Sequence, residues 1–357
     1  MKKFAKILYF TLLLLLLTNC GEDNAFSGQG IIGGGTSNIK VDAFSSLKKE
    51  VFEQHATHFV EAIQSLQNRL KTTTKIELLQ PFFKEIMQEW KSVETSYIVA
   101  DYDKSLIDTP QLIDFYRTGK KLDIPSDIDK ALGLKIGVKE ALFKNSSQSI
   151  TALEYLLFGE SEILLTQKER RIEAVEVTLT NLEKKAQTIV AFYQADTQFT
   201  TDVTEASNSV VNVLSASSFK LKEWRIGEPS GIASKFKDEP NPTRLEYAKS
   251  KLSLEAITSI LKTHQEIMGV QSYANFGSFA SQNGAIQSVQ KIQKELQNAL
   301  EIIGSFSKPL EEMISKTTID TKVQKLYESV KNLQKLYLES LIQALNLTAE
   351  IIEADGD

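Results

Sequence analysis

The sequence predicts an all-α protein made of two packed helical bundles, and three observations carry that expectation. Apolar residues recur with the 3.6-residue period of an amphipathic helix along most of the chain. No stretch supports a strand in comparable fashion. The seven prolines and seventeen glycines fall largely between the periodic stretches, where helix breakers belong.

In chain order, the first strong stripe is Phe52, Ala56, Phe59, Ile63, Leu66 and Leu70, whose steps of four and three place all six on one helix face. Further helices are expected at about 76–99, with Pro81 tolerated near its start, then 126–143 and the stretch SSQSITALEYLLFG, Ser146 to Gly159. Others follow at 166–195, 203–224, 253–268, 285–303 and 320–345. Eight or nine antiparallel helices exceed one four-helix bundle, so two bundles are expected, over 41–200 and 201–357. Two irregular stretches, 100–125 and 225–242, are long enough to carry function or to cover something.

The first residues read as an address. Lys2, Lys3 and Lys6 precede ILYFTLLLLLL, a run too short for a comfortable membrane span, and Leu17-Thr18-Asn19-Cys20 closes it as a lipobox. Residues 1–20 are therefore expected to be a lipoprotein signal peptide, with lipid on Cys20 as the anchor to the membrane. Cys20 is the sole cysteine, which excludes an intramolecular disulfide. Residues 21–40, rich in glycine and small polar groups, read as a flexible tether. The net charge of -5 comes from 41 basic and 46 acidic residues mixed along the chain, so no basic stripe exists for a phosphate backbone. Nucleic acid is excluded as a partner class on that ground.

The three histidines give weak metal signals. His55 and His58 share a helix face, and His58 with Glu61 spells H-x-x-E, but Glu61 points away from the apolar stripe and nothing encloses an ion there. His264 lies on the stripe of Leu254, Ile257, Leu261 and Met268 and reads as a core or interface histidine. No glycine-rich phosphate loop, G-x-S-x-G elbow or complete H-E-x-x-H is present.

Glu154 is the residue that does not fit its surroundings. Ile150, Leu153, Leu156, Leu157 and Phe158 surround it, and Thr151 is its polar neighbour one turn earlier. A buried unpaired carboxylate costs several kcal/mol, so the residue calls for a partner on another helix, a metal ion or a ligand. The alternative is local: T-A-L-E matches a capping box, in which Thr151 and Glu154 would satisfy each other's backbone amides.

The same segment, SITALEYLLFG, resembles the signature of the imelysin-like proteins, G-x-H-x-x-E followed by an aromatic and leucines. Ser149 stands at the glycine, Thr151 at the histidine and Glu154 at the glutamate. RIGEPSG, from Arg225 to Gly231, is similar to the family's glycine, proline and glycine turn. LEYAKSKLSLEAI is similar to its E-x-x-x-S-x-x-S-L segment through Glu246, Ser250, Ser253 and Leu254. Trp90 in QEWKSVE matches an early tryptophan, and ADGD at the C-terminus resembles the family's D-G-D ending.

The resemblance implies two α-helical bundles with a site between them, in periplasmic or outer-membrane proteins tied to iron acquisition, some described as metallopeptidases. It places Glu154, Thr151, Ser149, Glu246 and Ser250 at that site. Thr151 lacks the imidazole that would ligate a metal or act as base, which counts against peptidase activity. The remaining oxygen-rich set suits a metal ion, iron or another divalent cation, or a small polar ligand. The implied function is that of a lipid-anchored envelope protein, on the periplasmic face of the outer membrane or at the cell surface, that works with envelope iron-uptake components. A metallopeptidase with a substituted ligand set and a structural lipoprotein with a vestigial site are the alternatives.

Overall fold

Helix α1 (Thr36–Leu47) begins where the run Gly33-Gly34-Gly35 ends. It lies partly within the stretch read as tether, because residues beyond Gly35 are free of the glycines that disfavour helix. The computed structural model describes residues 36–117, 122–314 and 319–348. The signal peptide, Cys20, most of the tether and the D-G-D ending lie outside the described residues.

A π-helical stretch, Lys48–Glu53, leads into α2 (Gln54–Leu70). The remaining helices of nine residues or more are α3 (Gln80–Thr95), α4 (Ile124–Gly133), α5 (Ile150–Phe158), α6 (Lys168–Ala195), α7 (Val203–Lys220), α8 (Ser253–Met268), α9 (Ile286–Gly304) and α10 (Thr321–Lys335). All elements among the described residues are helical, as the periodicity predicted. Pro81 sits in the first turn of α3, where its missing amide proton has no intrahelical partner to lose. The expected helix at 126–143 is interrupted: α4 stops at Gly133, Leu134 is extended, and a separate turn, Val138–Ala141, follows. No helix among the described residues is long and apolar enough to cross a membrane.

Every residue of the first predicted stripe, from Phe52 to Leu70, is buried. It faces α3, with the Phe59 and Trp90 rings 5.6 Å apart between centroids, and α6 packs on its other side. The C-terminal helices α7, α8, α9 and α10 pack against one another in a second group, and α8 lies along α3 and links the two. The apolar core is continuous from α1 through α10.

Two features outside the regular helices aim residues at the junction between α3 and α8. After α7 the chain continues as a π-helix, Leu221–Gly227, which turns Arg225 into the interior. The chain then reverses at Gly231, whose φ of +72° and Pro240 backbone nitrogen, 2.8 Å from where a Cβ would stand, both demand glycine. Asn241 donates its amide to the Pro229 carbonyl at 2.7 Å and closes that loop.

Candidate functional site

Helix α5 is buried on nearly every face, so its polar ends must be satisfied by side chains. Ser149 is its N-cap: the hydroxyl accepts from the Ala152 amide at 3.2 Å and donates to the Ser146 carbonyl at 2.8 Å. At the other end Arg171 Nε donates to the Leu156 carbonyl at 2.6 Å, and Gln80 donates to the Leu157 carbonyl at 2.9 Å. The local capping alternative for Thr151 and Glu154 is thereby overturned. Because Ser149 supplies the cap, both of the later side chains turn to partners elsewhere in the fold.

Glu154 reaches across to the second half of the chain. Its Oε1 accepts from the Ser250 amide and from the Ser250 hydroxyl, each at 2.8 Å. Burial pushes its carboxyl up to about 7, with the Ser250 bonds and the charge of Lys249 pulling the other way. The carboxylate called for by the sequence thus meets a residue from the second resembling segment.

Thr151 opens a larger network. Its hydroxyl donates to Asp114 Oδ1 at 3.0 Å and accepts from the Phe115 amide at 3.2 Å. Asp114 Oδ2 accepts from Trp90 Nε1 at 3.1 Å, from Lys91 Nζ at 2.8 Å and from the Tyr247 hydroxyl at 2.8 Å. Lys91 directs its remaining protons at Glu94 (2.8 Å) and Glu246 (2.6 Å), so the ammonium is fully hydrogen-bonded although wholly buried. Arg225 closes the network through Nε to Glu246 at 2.6 Å and a terminal nitrogen to Glu94 at 2.8 Å.

The charges explain one another. Burial works against the Lys91 ammonium, but Asp114, Glu246 and Glu94 outweigh it and hold its pKa above the usual lysine range. Arg225 and Lys91 likewise overcome burial at Glu94 and keep that carboxyl low. Three carboxylates face two cations within bonding distance, and the excess falls on Glu246. Burial, with repulsion from Asp114 and Glu94, raises its carboxyl while Arg225 and Lys91 pull it back.

A cavity of about 200 Å³ adjoins this network, between the C-terminal end of α3, the turn at Val99–Tyr102, α7 and α8. Glu94 and Arg225 form part of its wall, and Asp101, Asn212, Ser217 and Lys220 add polar groups. Burial lowers the Lys220 ammonium below its usual range even though Glu94 favours the charge. The cavity therefore presents cationic and anionic groups side by side, backed by the ion-pair cluster.

Among the predicted site residues, the structure brings Glu154 to Ser250, and it joins Thr151 to Glu246 through Asp114 and Lys91. Glu154 and Glu246 are not hydrogen-bonded to each other, and Ser149 acts as a cap. Sequence reading did not single out Lys91, Glu94, Asp114 or Arg225, although QEWKSVE and RIGEPSG contain three of them and the irregular stretch at 100–125 contains the fourth. His264 is a buried histidine bonded to the Tyr337 hydroxyl at 2.9 Å and the Ser217 hydroxyl at 3.0 Å.

The family model described as imelysin, peptidase M75, matches residues 50–337. Two solved structures share the fold. One is an imelysin-like protein from Psychrobacter arcticum 273-4, 15% identical, with a TM-score of 0.65 over 89% of this chain and 98% of that one. The other is assigned as an iron-regulated protein A precursor from Parabacteroides distasonis ATCC 8503, 12% identical, with a TM-score of 0.63 over 88% of this chain and 97% of that one. None of the curated proteins matches the chain.

Proposed function

Because the chain belongs to the imelysin family, we propose that it is a lipid-anchored envelope protein linked to iron uptake that binds a small polar ligand in the cavity between α3 and α7. The observation that carries this reading is the adjacency of the cavity to the Lys91, Arg225, Glu94 and Glu246 network. A bare divalent cation at Glu246 would have to displace an ammonium and a guanidinium that are already bonded to that carboxylate. A ligand that brings its own carboxylates can meet Lys220 and Arg225 instead and leave Asp101 for a bound metal ion. The name of the Parabacteroides distasonis neighbour supports a link to iron. Peptidase chemistry at the signature segment lacks its imidazole at Thr151.

Calorimetric titration of the full-length lipoprotein in detergent with ferric citrate and with citrate alone tests the reading. Saturable binding to the wild type, lost in Val213→Trp, which fills the cavity, is the expected result. Absence of binding by both probes, together with unaltered growth of a Val213→Trp strain under iron limitation, would overturn it.

A further inference from the structure

His55 is enclosed in a way that its own helix could not reveal. The ring stands near the start of α2, Nδ1 lies 3.0 Å from Glu89 Oε2 on α3, and Nε2 lies 2.6 Å from Glu266 Oε2 on α8. Its side chain is only 15% exposed. His58, three residues on and so on the same face, is half-buried, and ligand atoms of His55, His58 and Glu89 all lie within 4.8 Å of one another. Sequence alone showed no enclosing partner for His58, because Glu61 on the same helix points away from the apolar stripe. The carboxylate comes from the neighbouring helix.

We propose that His55, His58 and Glu89 form a binding site for a divalent transition-metal ion, Zn²⁺ or one of similar ligand preference, separate from the cavity between α3 and α7. Two imidazoles and one carboxylate are a donor set such ions favour, and three protein ligands leave a coordination position open to water or to a further ligand. Glu266 fits the role of an outer carboxylate. By accepting the Nε2 proton of His55 it fixes the tautomer that turns Nδ1 toward Glu89 and the ion, the arrangement that orients most metal-bound histidines. Tetrahedral zinc, with bonds of about 2.0–2.1 Å, holds its ligand atoms roughly 3.4 Å apart, so binding needs a modest inward closure by His58. His58 makes no side-chain hydrogen bond among the described residues that would resist it. The competing role for the cluster is a metal-free ion pair, with a protonated His55 clamped between two carboxylates.

Competition of the full-length protein with a chromophoric zinc chelator decides between the two. One equivalent of Zn²⁺ should bind to the wild type, and Co²⁺ in its place should give the visible absorption of a tetrahedral site. His58→Ala and Glu89→Gln should each abolish the stoichiometric site, and Glu266→Gln should weaken it about 10-fold to 100-fold, as loss of an outer-sphere partner does. Lys220→Ala and Val213→Trp, which alter the cavity, should leave zinc binding unchanged, so failure of one site can be told from failure of the other. If the wild type binds no zinc, or if His58→Ala and Glu89→Gln, shown by circular dichroism to be folded, bind it as tightly as the wild type, the cluster is an ion pair and the proposal falls.

Discussion

Lys91 Nζ lies 2.6 Å from Oε1 of Glu246, a residue 155 positions further along the chain. Trp90-Lys91 on α3 and Glu246 before α8 both belong to segments with a family resemblance, and this bond is the point at which those segments meet. Its position makes the surrounding network accountable by substitution.

Lys91→Met would leave Asp114 without the cation it is bonded to, and Glu94 and Glu246 with Arg225 alone. Breaking a buried ion pair by removing one partner costs about 3–5 kcal/mol. Urea denaturation should show a loss of that order with an unchanged m-value. A loss well under about 1 kcal/mol would mean that the network is open to water.

Ser149→Ala should cost about 1 kcal/mol, the usual effect of a lost N-cap. Thr151→Val should cost about 1–3 kcal/mol for a different reason, since it strips a donor from Asp114 and an acceptor from the Phe115 amide.

Glu154→Gln should stabilise the protein at pH 8. The folded carboxyl titrates at about 7, above its ordinary value of 4.5, so its favourable contribution is complete below pH 4.5 and is lost as pH rises through 7. Glutamine retains an acceptor for Ser250 without the buried charge, and the advantage should grow across that window to on the order of 3 kcal/mol. Denaturant melts of both proteins at pH 4.5 and pH 8 provide the comparison.

His264 should have the opposite pH signature. Burial pushes its imidazole down to about 3 from 6.5, so the neutral form that bonds Tyr337 and Ser217 contributes stability above pH 6.5. That contribution falls as pH drops toward 3, by up to about 1.4 kcal/mol per pH unit. Replacing it with glutamine should remove this component, seen as a shallower loss of stability between pH 6.5 and pH 4 relative to the wild type.

Much of the fold was legible because helix burial is periodic. The stripe from Phe52 to Leu70 is buried as read, and Pro81 falls in the first turn of its helix. The break after Gly133 was missed, since the apolar spacing continues across a turn that Leu134 makes by its backbone. At the site, Glu154 was recognised from its misfit among apolar neighbours, whereas Asp114 sits in an irregular stretch where no period marks a residue as interior.

The sequence by itself determined the helical class, the family and the segments that build the site, because each depends on residues close together in the chain. Tertiary structure decided what those segments do. It made Ser149 the cap, sent Glu154 to Ser250, surrounded Lys91 with three carboxylates and placed Glu89 and Glu266 around His55. Bonds spanning up to 211 positions depend on how helices pack, and a local pattern carries no record of which distant carboxylate will face a given cation.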